Sequence, residues 1–201
     1  MNKKIWTLAP LLALLTLTSC FQESKIYGLW NMKLTIQGQT IPFQLDIEEN
    51  NRITLINGAE EIKLSYREPT KDKIIVPILG FDARLELQKE KESLTGFWIR
   101  ENKTPAYREP IIGERASQRS TLNKVGLPAK WKMALTSKDE AKDAMLLFTE
   151  TEQGVYASVL TTTGDYRYLT ATRENDELVL TGFDGVFAFV FKGKIEDGTY
   201  S

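Results

Sequence analysis

The chain has 201 residues, with 26 Lys and Arg against 27 Asp and Glu, a formal net charge of −1, one cysteine and no histidine. That balance offers no basic surface for nucleic acid. The missing imidazole and second thiol exclude His-based acid–base catalysis, His-held metal, a disulfide and a C-x-x-C redox pair. Carboxylates, Lys, Tyr, Ser and Thr remain as reactive groups, and neither a cofactor nor a metal is expected.

The chain opens with Lys3 and Lys4, followed by an apolar run of about thirteen residues from Ile5 to Leu17. The run has the length of a signal-peptide core and is too short to span a bilayer. It ends in Leu17-Thr18-Ser19-Cys20, where the only cysteine follows a small residue. A plain transmembrane anchor, or a leader cut ahead of a free cysteine, leaves that placement unexplained. The segment resembles the lipobox of bacterial lipoproteins, with Leu17 three residues before the cysteine and Ser19 directly before it. The resemblance implies that residues 1–19 are a lipoprotein signal peptide and that Cys20 is acylated as the new N-terminus. Each buried acyl CH₂ contributes about 0.8 kcal/mol, and two or more chains make anchoring stable. Phe21, rather than an Asp, follows the cysteine, which by the same resemblance favours the outer membrane. A lipid-anchored place in the cell envelope is therefore expected, with residues 20–27 as a tether. Cleavage leaves 182 residues carrying 24 basic and 27 acidic side chains.

The remainder reads as two copies of one pattern, a first β repeat at 28–100 and a second at 129–201. Trp30-Asn31-Met32-Lys33-Leu34-Thr35 aligns with Trp131-Lys132-Met133-Ala134-Leu135-Thr136. Gly80-Phe81-Asp82 aligns with Gly182-Phe183-Asp184, and Gly96-Phe97-Trp98 with Gly198-Thr199-Tyr200. Within the copies the hydrophobic period is two, as in Phe43-Gln44-Leu45-Asp46-Ile47-Glu48, Glu61-Ile62-Lys63-Leu64 and Ala83-Arg84-Leu85-Glu86-Leu87-Gln88. Asn50-Asn51, Asn57-Gly58, Gly164-Asp165 and Asn175-Asp176 supply turns, with Asn57-Gly58 suited to a type I′ turn in which both residues take φ > 0.

The pattern predicts strands over 30–36, 42–48, 52–57, 60–66, 73–79, 82–88 and 93–100. In the second copy it predicts them over 131–136, 144–151, 154–160, 165–173, 177–181, 185–194 and 197–201. The fold class is all-β, an antiparallel meander in two pseudo-repeats that curl into sandwich- or barrel-like halves. Residues 101–128, rich in Pro, Gly, Ser, Asn and charge, show no period and read as a linker, and 137–144 as one polar turn. The first copy continues past Gly96-Phe97-Trp98 into Ile99-Arg100. By that comparison the second repeat is truncated in its last strand, with more protein expected to follow.

Gly28-Leu29-Trp30, Ile41-Pro42-Phe43, the hairpin Leu55-Ile56-Asn57-Gly58-Ala59-Glu60-Glu61 and Thr163-Gly164-Asp165-Tyr166-Arg167-Tyr168-Leu169 carry a further likeness, as does Leu180-Thr181-Gly182-Phe183-Asp184-Gly185-Val186-Phe187-Ala188-Phe189. With the lipobox, these segments resemble the N-terminal β-rich region of TlpA-like thioredoxin-family lipoproteins of Bacteroidetes, over residues 28–201. The resemblance implies a C-terminal thioredoxin-like partner domain with a C-x-x-C pair. No such motif occurs in these residues, so this polypeptide alone cannot perform thiol–disulfide exchange, and no catalytic residue is carried over.

Trp30 and Trp131 suit large aromatics anchoring the first strand of each copy, or alternatively the lining of an apolar pocket. Asp82 and Asp184 suit Asx-type turns, or alternatively a carboxylate pair for glycoside hydrolysis. Tyr166, Arg167 and Tyr168 alternate on a strand, so both tyrosines are expected on one side and Arg167 on the other. With Asp184 they form the candidate recognition set.

Two functions from different classes follow. One is a non-catalytic, envelope-anchored β domain that scaffolds or recognises a thioredoxin-like domain, another periplasmic protein or a ligand. The other is a stand-alone carboxylate-based periplasmic hydrolase, or a small-ligand carrier with an internal cavity.

Overall fold

The computed structural model describes residues 26–102, 104–121, 126, 128–137, 140–152, 154–196 and 199–200. The expected signal segment 1–19, Cys20 and the expected tether to residue 25 lie outside the described residues, as do 103, 122–125 and 127 of the expected linker and Gly198 of the third repeat anchor. The described chain is all-β and forms two curled antiparallel assemblies.

The first assembly begins with a hairpin of β1 (Gly28–Ile36) and β2 (Gln39–Ile47). It turns on Gln37 and Gly38, both at positive φ (48° and 77°), the geometry that matches strand twist in a two-residue turn. Next come β3 (Arg52–Asn57), β4 (Glu60–Ser65), β5 (Arg67–Thr70), β6 (Lys73–Ile78), β7 (Ala83–Glu90), β8 (Ser93–Arg100) and β9 (Tyr107–Arg115). The nine strands form one sheet in the order β4-β3-β2-β1-β9-β8-β7-β6-β5.

β9 corrects the linker expected at 101–128. Residues 107–115 are a strand inserted between β1 and β8, antiparallel to both. Pro110, Gly113 and four charged residues mask its alternation in the sequence. Proline is tolerated because β1 pairs only with Ile111–Arg115, so at Pro110 the strand has β8 alone as a neighbour. The turn at Asn57-Gly58 also shifts by one residue. Asn57 ends β3 and pairs with Glu60, so the turn residues are Gly58 and Ala59, of which only Gly58 has positive φ (59°).

Two glycines let this sheet curl. A Cβ on Gly96 in β8 would collide with the Glu86 carbonyl of β7, and one on Gly113 in β9 would collide with the Met32 sulfur of β1. Backbone therefore fills the first position and a neighbour's side chain the second. The curl brings the two edge strands together, since β4 and β5 are consecutive and joined by buried Tyr66. The enclosed core includes Trp30, Met32, Leu34, Ile41, Leu45, Leu55, Val76 and Leu85.

The second assembly is a closed barrel of β10 (Lys130–Ser137), β11 (Glu140–Thr151), β12 (Gly154–Leu160), β13 (Asp165–Glu174), β14 (Glu177–Phe183), β15 (Ala188–Glu196) and β16 (Thr199–Tyr200). Part of the polar turn expected at 137–144 is strand, because β11 starts at Glu140 and pairs with β10 from its first residue. Seven strands alternating in direction leave the first and last parallel, and β10 does pair with β16 in parallel. Met133, Leu146, Ala157, Val159, Leu169, Ala171, Leu178 and Leu180 form its core.

The two tryptophans occupy corresponding places. Trp30 is fully buried and donates from Nε1 to the Ile26 carbonyl at 2.7 Å. Trp131 packs on the barrel core and donates to the Pro128 carbonyl at 2.9 Å. Each ties its first strand to the segment before it. The second repeat anchor diverges: Gly80-Phe81-Asp82 is an exposed turn between β6 and β7, whereas Gly182 and Phe183 end β14 and are buried.

Candidate functional site

The two assemblies join at the segment Gly182 to Phe187. Phe183 leaves the barrel and sits inside the core of the nine-stranded sheet, 4.8 Å from the Phe43 ring and 5.4 Å edge-on from Trp98. Val186 is buried in the same core. Two hydrogen bonds fasten the segment to the nine-stranded sheet, and two more shape its turn. The Asn57 side-chain oxygen accepts from the Phe183 N–H at 3.0 Å. Trp98 donates from Nε1 to the Gly185 carbonyl at 2.8 Å. Asp184 Oδ1 accepts from the N–H groups of Val186 and Phe187 at 2.8 and 2.6 Å. Gly185 has φ +88°, and a Cβ there would press on Ile78 at 3.1 Å. The turn thus requires glycine both for its backbone and for its fit.

Beside this junction lies a cleft of about 550 Å³, within the range of ligand sites. β4 contributes Glu60, Ile62 and Leu64, the end of β6 and its turn contribute Pro77, Leu79 and Phe81, and the junction segment contributes Asp184 and Phe187. Leu79, Phe81 and Phe187 are 82%, 54% and 44% exposed. They are three of the four large hydrophobics exposed among the described residues, so the chain's exposed apolar surface is concentrated here. Arg100 lies 5.3 Å from the centre of the Phe187 ring.

The opening has a backbone cause. β6 pairs with β5 through Arg67↔Ile75, and two residues further along, the strand facing it would be β4. Pro77 stands at that point and has no N–H to offer a ladder. The seam therefore stays unzipped and β4 keeps a free edge.

Glu60 is the electrostatic feature of the cleft. Burial pushes its carboxyl above the ordinary value, the Asn57 amide hydrogen bond acts the other way, and the negative charge of Asp184 adds to the rise. Lys63 is drawn aside by Glu61 and Thr54, at 3.0 and 3.1 Å.

The expected recognition residues are not brought together. A β-bulge interrupts β12–β13 pairing between Ala157 and Val159, and Tyr168 takes φ +56°. This breaks the alternation that was expected to place both tyrosines on one side. Tyr166 packs edge-on against Phe189 and Phe191, 4.9 and 5.1 Å away, with the barrel core. Tyr168 instead meets Tyr156 at 5.4 Å. Arg167 is exposed and paired with Asp165 at 2.7 Å, which raises its pKa. Of the set, Asp184 alone lines the cleft.

Asp184 is an Asx turn, as its flanking glycines suggest. Asp82 is exposed at the β6–β7 turn, with its carbonyl accepting from the Glu101 N–H at 2.8 Å. The acid that faces Asp184 is Glu60, not its repeat-related counterpart.

Glu60, Leu79, Phe81 and Phe187 escaped the sequence reasoning. The available signal was Leu79-Gly80-Phe81, two large apolar residues in a turn where polar ones are the rule. Among the described residues no group of three or more Asp, Glu, His or Cys side chains is placed to hold a metal ion. No protein-family model, curated protein or solved structure matches the chain.

Proposed function

We propose that the protein is a lipid-anchored module of the cell envelope that recognises and positions a partner without chemistry of its own, as the N-terminal part of a TlpA-like thiol–disulfide oxidoreductase. The single observation that carries this reading is the use of polar groups at the junction. The Asp184 carboxylate and the Asn57 amide, the best-placed groups beside the cleft, are both bound to backbone N–H groups, Asp184 shaping its own turn and Asn57 fastening that turn to the nine-stranded sheet. What is left open to solvent is an apolar surface suited to contact. Leu17-Thr18-Ser19-Cys20 supplies the anchor, and an outer-membrane location agrees with Phe21.

The hydrolase alternative draws on Glu60, a carboxyl raised by burial beside a second acid. Against it, Asp184 Oδ1 accepts from two backbone N–H groups of its own turn, which gives this carboxylate a structural use. The carrier alternative needs a hollow interior, and the inward positions of both assemblies are filled by packed side chains.

Growth with an alkyne-tagged palmitate tests the reading, together with sequencing of the reading frame beyond codon 201. Label on the protein that disappears in Cys20→Ser, and a downstream thioredoxin-like segment with C-x-x-C, are the expected results. Absence of label overturns the anchor, and a stop codon with no such segment downstream overturns the assignment to an oxidoreductase.

A further inference from the structure

The cleft has two properties that its apolar lining alone does not explain. Its long bank, β4, is a sheet edge whose outward backbone groups have no strand partner, and Glu60, Ile62 and Leu64 are its half-buried residues at every second position. An added strand would present its own alternate side chains to that same face. The second property is charge. Glu60 and Asp184 repel each other across one end of the cleft, and no cation acts on Glu60 from the described residues. Lys63 is held by Glu61 and Thr54, and Arg100 lies over Phe187. A partner that brings a positive group to this end relieves the repulsion while its apolar side chains cover Leu79, Phe81 and Phe187.

We infer that the cleft takes an extended peptide strand that pairs with the free edge of β4, lays apolar side chains on Leu79, Phe81 and Phe187, and sets a basic side chain between Glu60 and Asp184. This rests on the recognition reading of the cleft and specifies its partner. In antiparallel register the peptide has apolar residues opposite Leu64 and Ile62 and Lys or Arg opposite Glu60. Main-chain hydrogen bonds give the affinity, and the alternate side chains give the choice of sequence.

The test uses the full lipidated chain in lipid nanodiscs and a fluorescein-labelled, end-capped heptapeptide, TVTVTKT, whose valines and lysine share one face. Saturable binding by fluorescence anisotropy is expected. Phe187→Ser and Glu60→Gln should each weaken it by about tenfold or more. Leu79→Ser, at the most exposed position, is a second variant that tests the apolar contact without touching either core. The same peptide N-methylated at alternate residues should lose binding, because its backbone can no longer donate to the β4 edge. Binding that survives N-methylation overturns the strand pairing, and binding indifferent to Glu60→Gln overturns the basic-group assignment. Phenylethylamine, titrated calorimetrically, separates the two levels of inference. If it binds and the peptide does not, the peptide proposal falls and the recognition reading stands; if neither binds, both fall.

Discussion

The nine-stranded sheet encloses large side chains such as Trp30, Met32, Leu34, Leu45 and Leu85, whereas the fully enclosed positions of the barrel include Ala157 and Ala171. The larger core also takes in Phe183 and Val186 from the barrel's segment, while among the described residues no buried residue before Met133 enters the barrel core. The exchange runs one way. Burial of apolar area is the main favourable term in folding, so Phe183 and Val186 couple the two units, and the barrel, with the smaller core of its own, leans on that contact more. The cleft arises from the same asymmetry: the barrel's turn fills one end of the sheet's open seam and leaves the rest unfilled.

The most damaging way to break this relation is Phe183→Ala. It removes a ring enclosed by Phe43 and Trp98 and should cost about 3–5 kcal/mol. Urea unfolding followed by tryptophan fluorescence and circular dichroism should then split into two transitions, the barrel melting first. Gly96→Ala attacks the other partner. The Glu86 carbonyl in its path is backbone, so the sheet must uncurl locally at a cost of about 2–3 kcal/mol. Both assemblies should weaken together, because the barrel loses its support.

Asn57→Ala leaves the buried Phe183 N–H without its acceptor and should cost about 1–3 kcal/mol. A double-mutant cycle with Trp98→Phe would measure how far the two junction bonds act together.

Tyr66→Phe is milder. It deletes the hydroxyl bond to the Glu48 carbonyl at 2.6 Å, a loss of about 1 kcal/mol. Burial pushes the Tyr66 hydroxyl up to about 12 in the folded protein. Stability from this group is therefore complete below its ordinary value near 10 and is lost as pH rises toward 12. Tyr66→Phe should flatten that alkaline limb in pH-dependent urea titrations.

Glu60 gives the smallest effect. Its folded-state pKa is raised, so the folded protein holds the proton more tightly, and stability falls as pH rises from the ordinary carboxylate value through the raised one. Glu60→Gln should abolish that slope without lowering the stability measured in acid.

Most of the strands were legible because their alternation is intact. Ala83 to Gln88 show a buried face every second residue, and that is how they sit; Phe43, Leu45 and Ile47 are buried likewise, but Gln44 between them is buried too, held by Asn31 and the Ser120 N–H. β9 was illegible because Pro110, Gly113 and its charges look like a loop until β1 and β8 flank it. The bulge at Tyr168 was hidden because a single left-handed residue leaves no mark in the hydrophobic pattern, yet it sends Tyr166 and Tyr168 to different neighbours. The candidate site was less legible still. Asp184 was found through its glycines, but Glu60, Leu79, Phe81 and Phe187 meet only when three distant segments converge. Asn57 was recognised as a turn former, and its position one residue earlier turned its amide toward the barrel.

The sequence by itself determined the all-β class, the division into two β units and most strand positions, because period-two burial and turn chemistry are local properties. It also carries Leu17-Thr18-Ser19-Cys20, whose resemblance to a lipobox is what the anchoring proposal rests on. Only the tertiary structure decided that one unit is a nine-stranded curled sheet and the other a closed barrel, that Phe183 crosses between them, and that a cleft opens beside β4. Those outcomes depend on which distant backbone groups find partners and which, at Pro77, cannot, and that is a property of strands brought side by side.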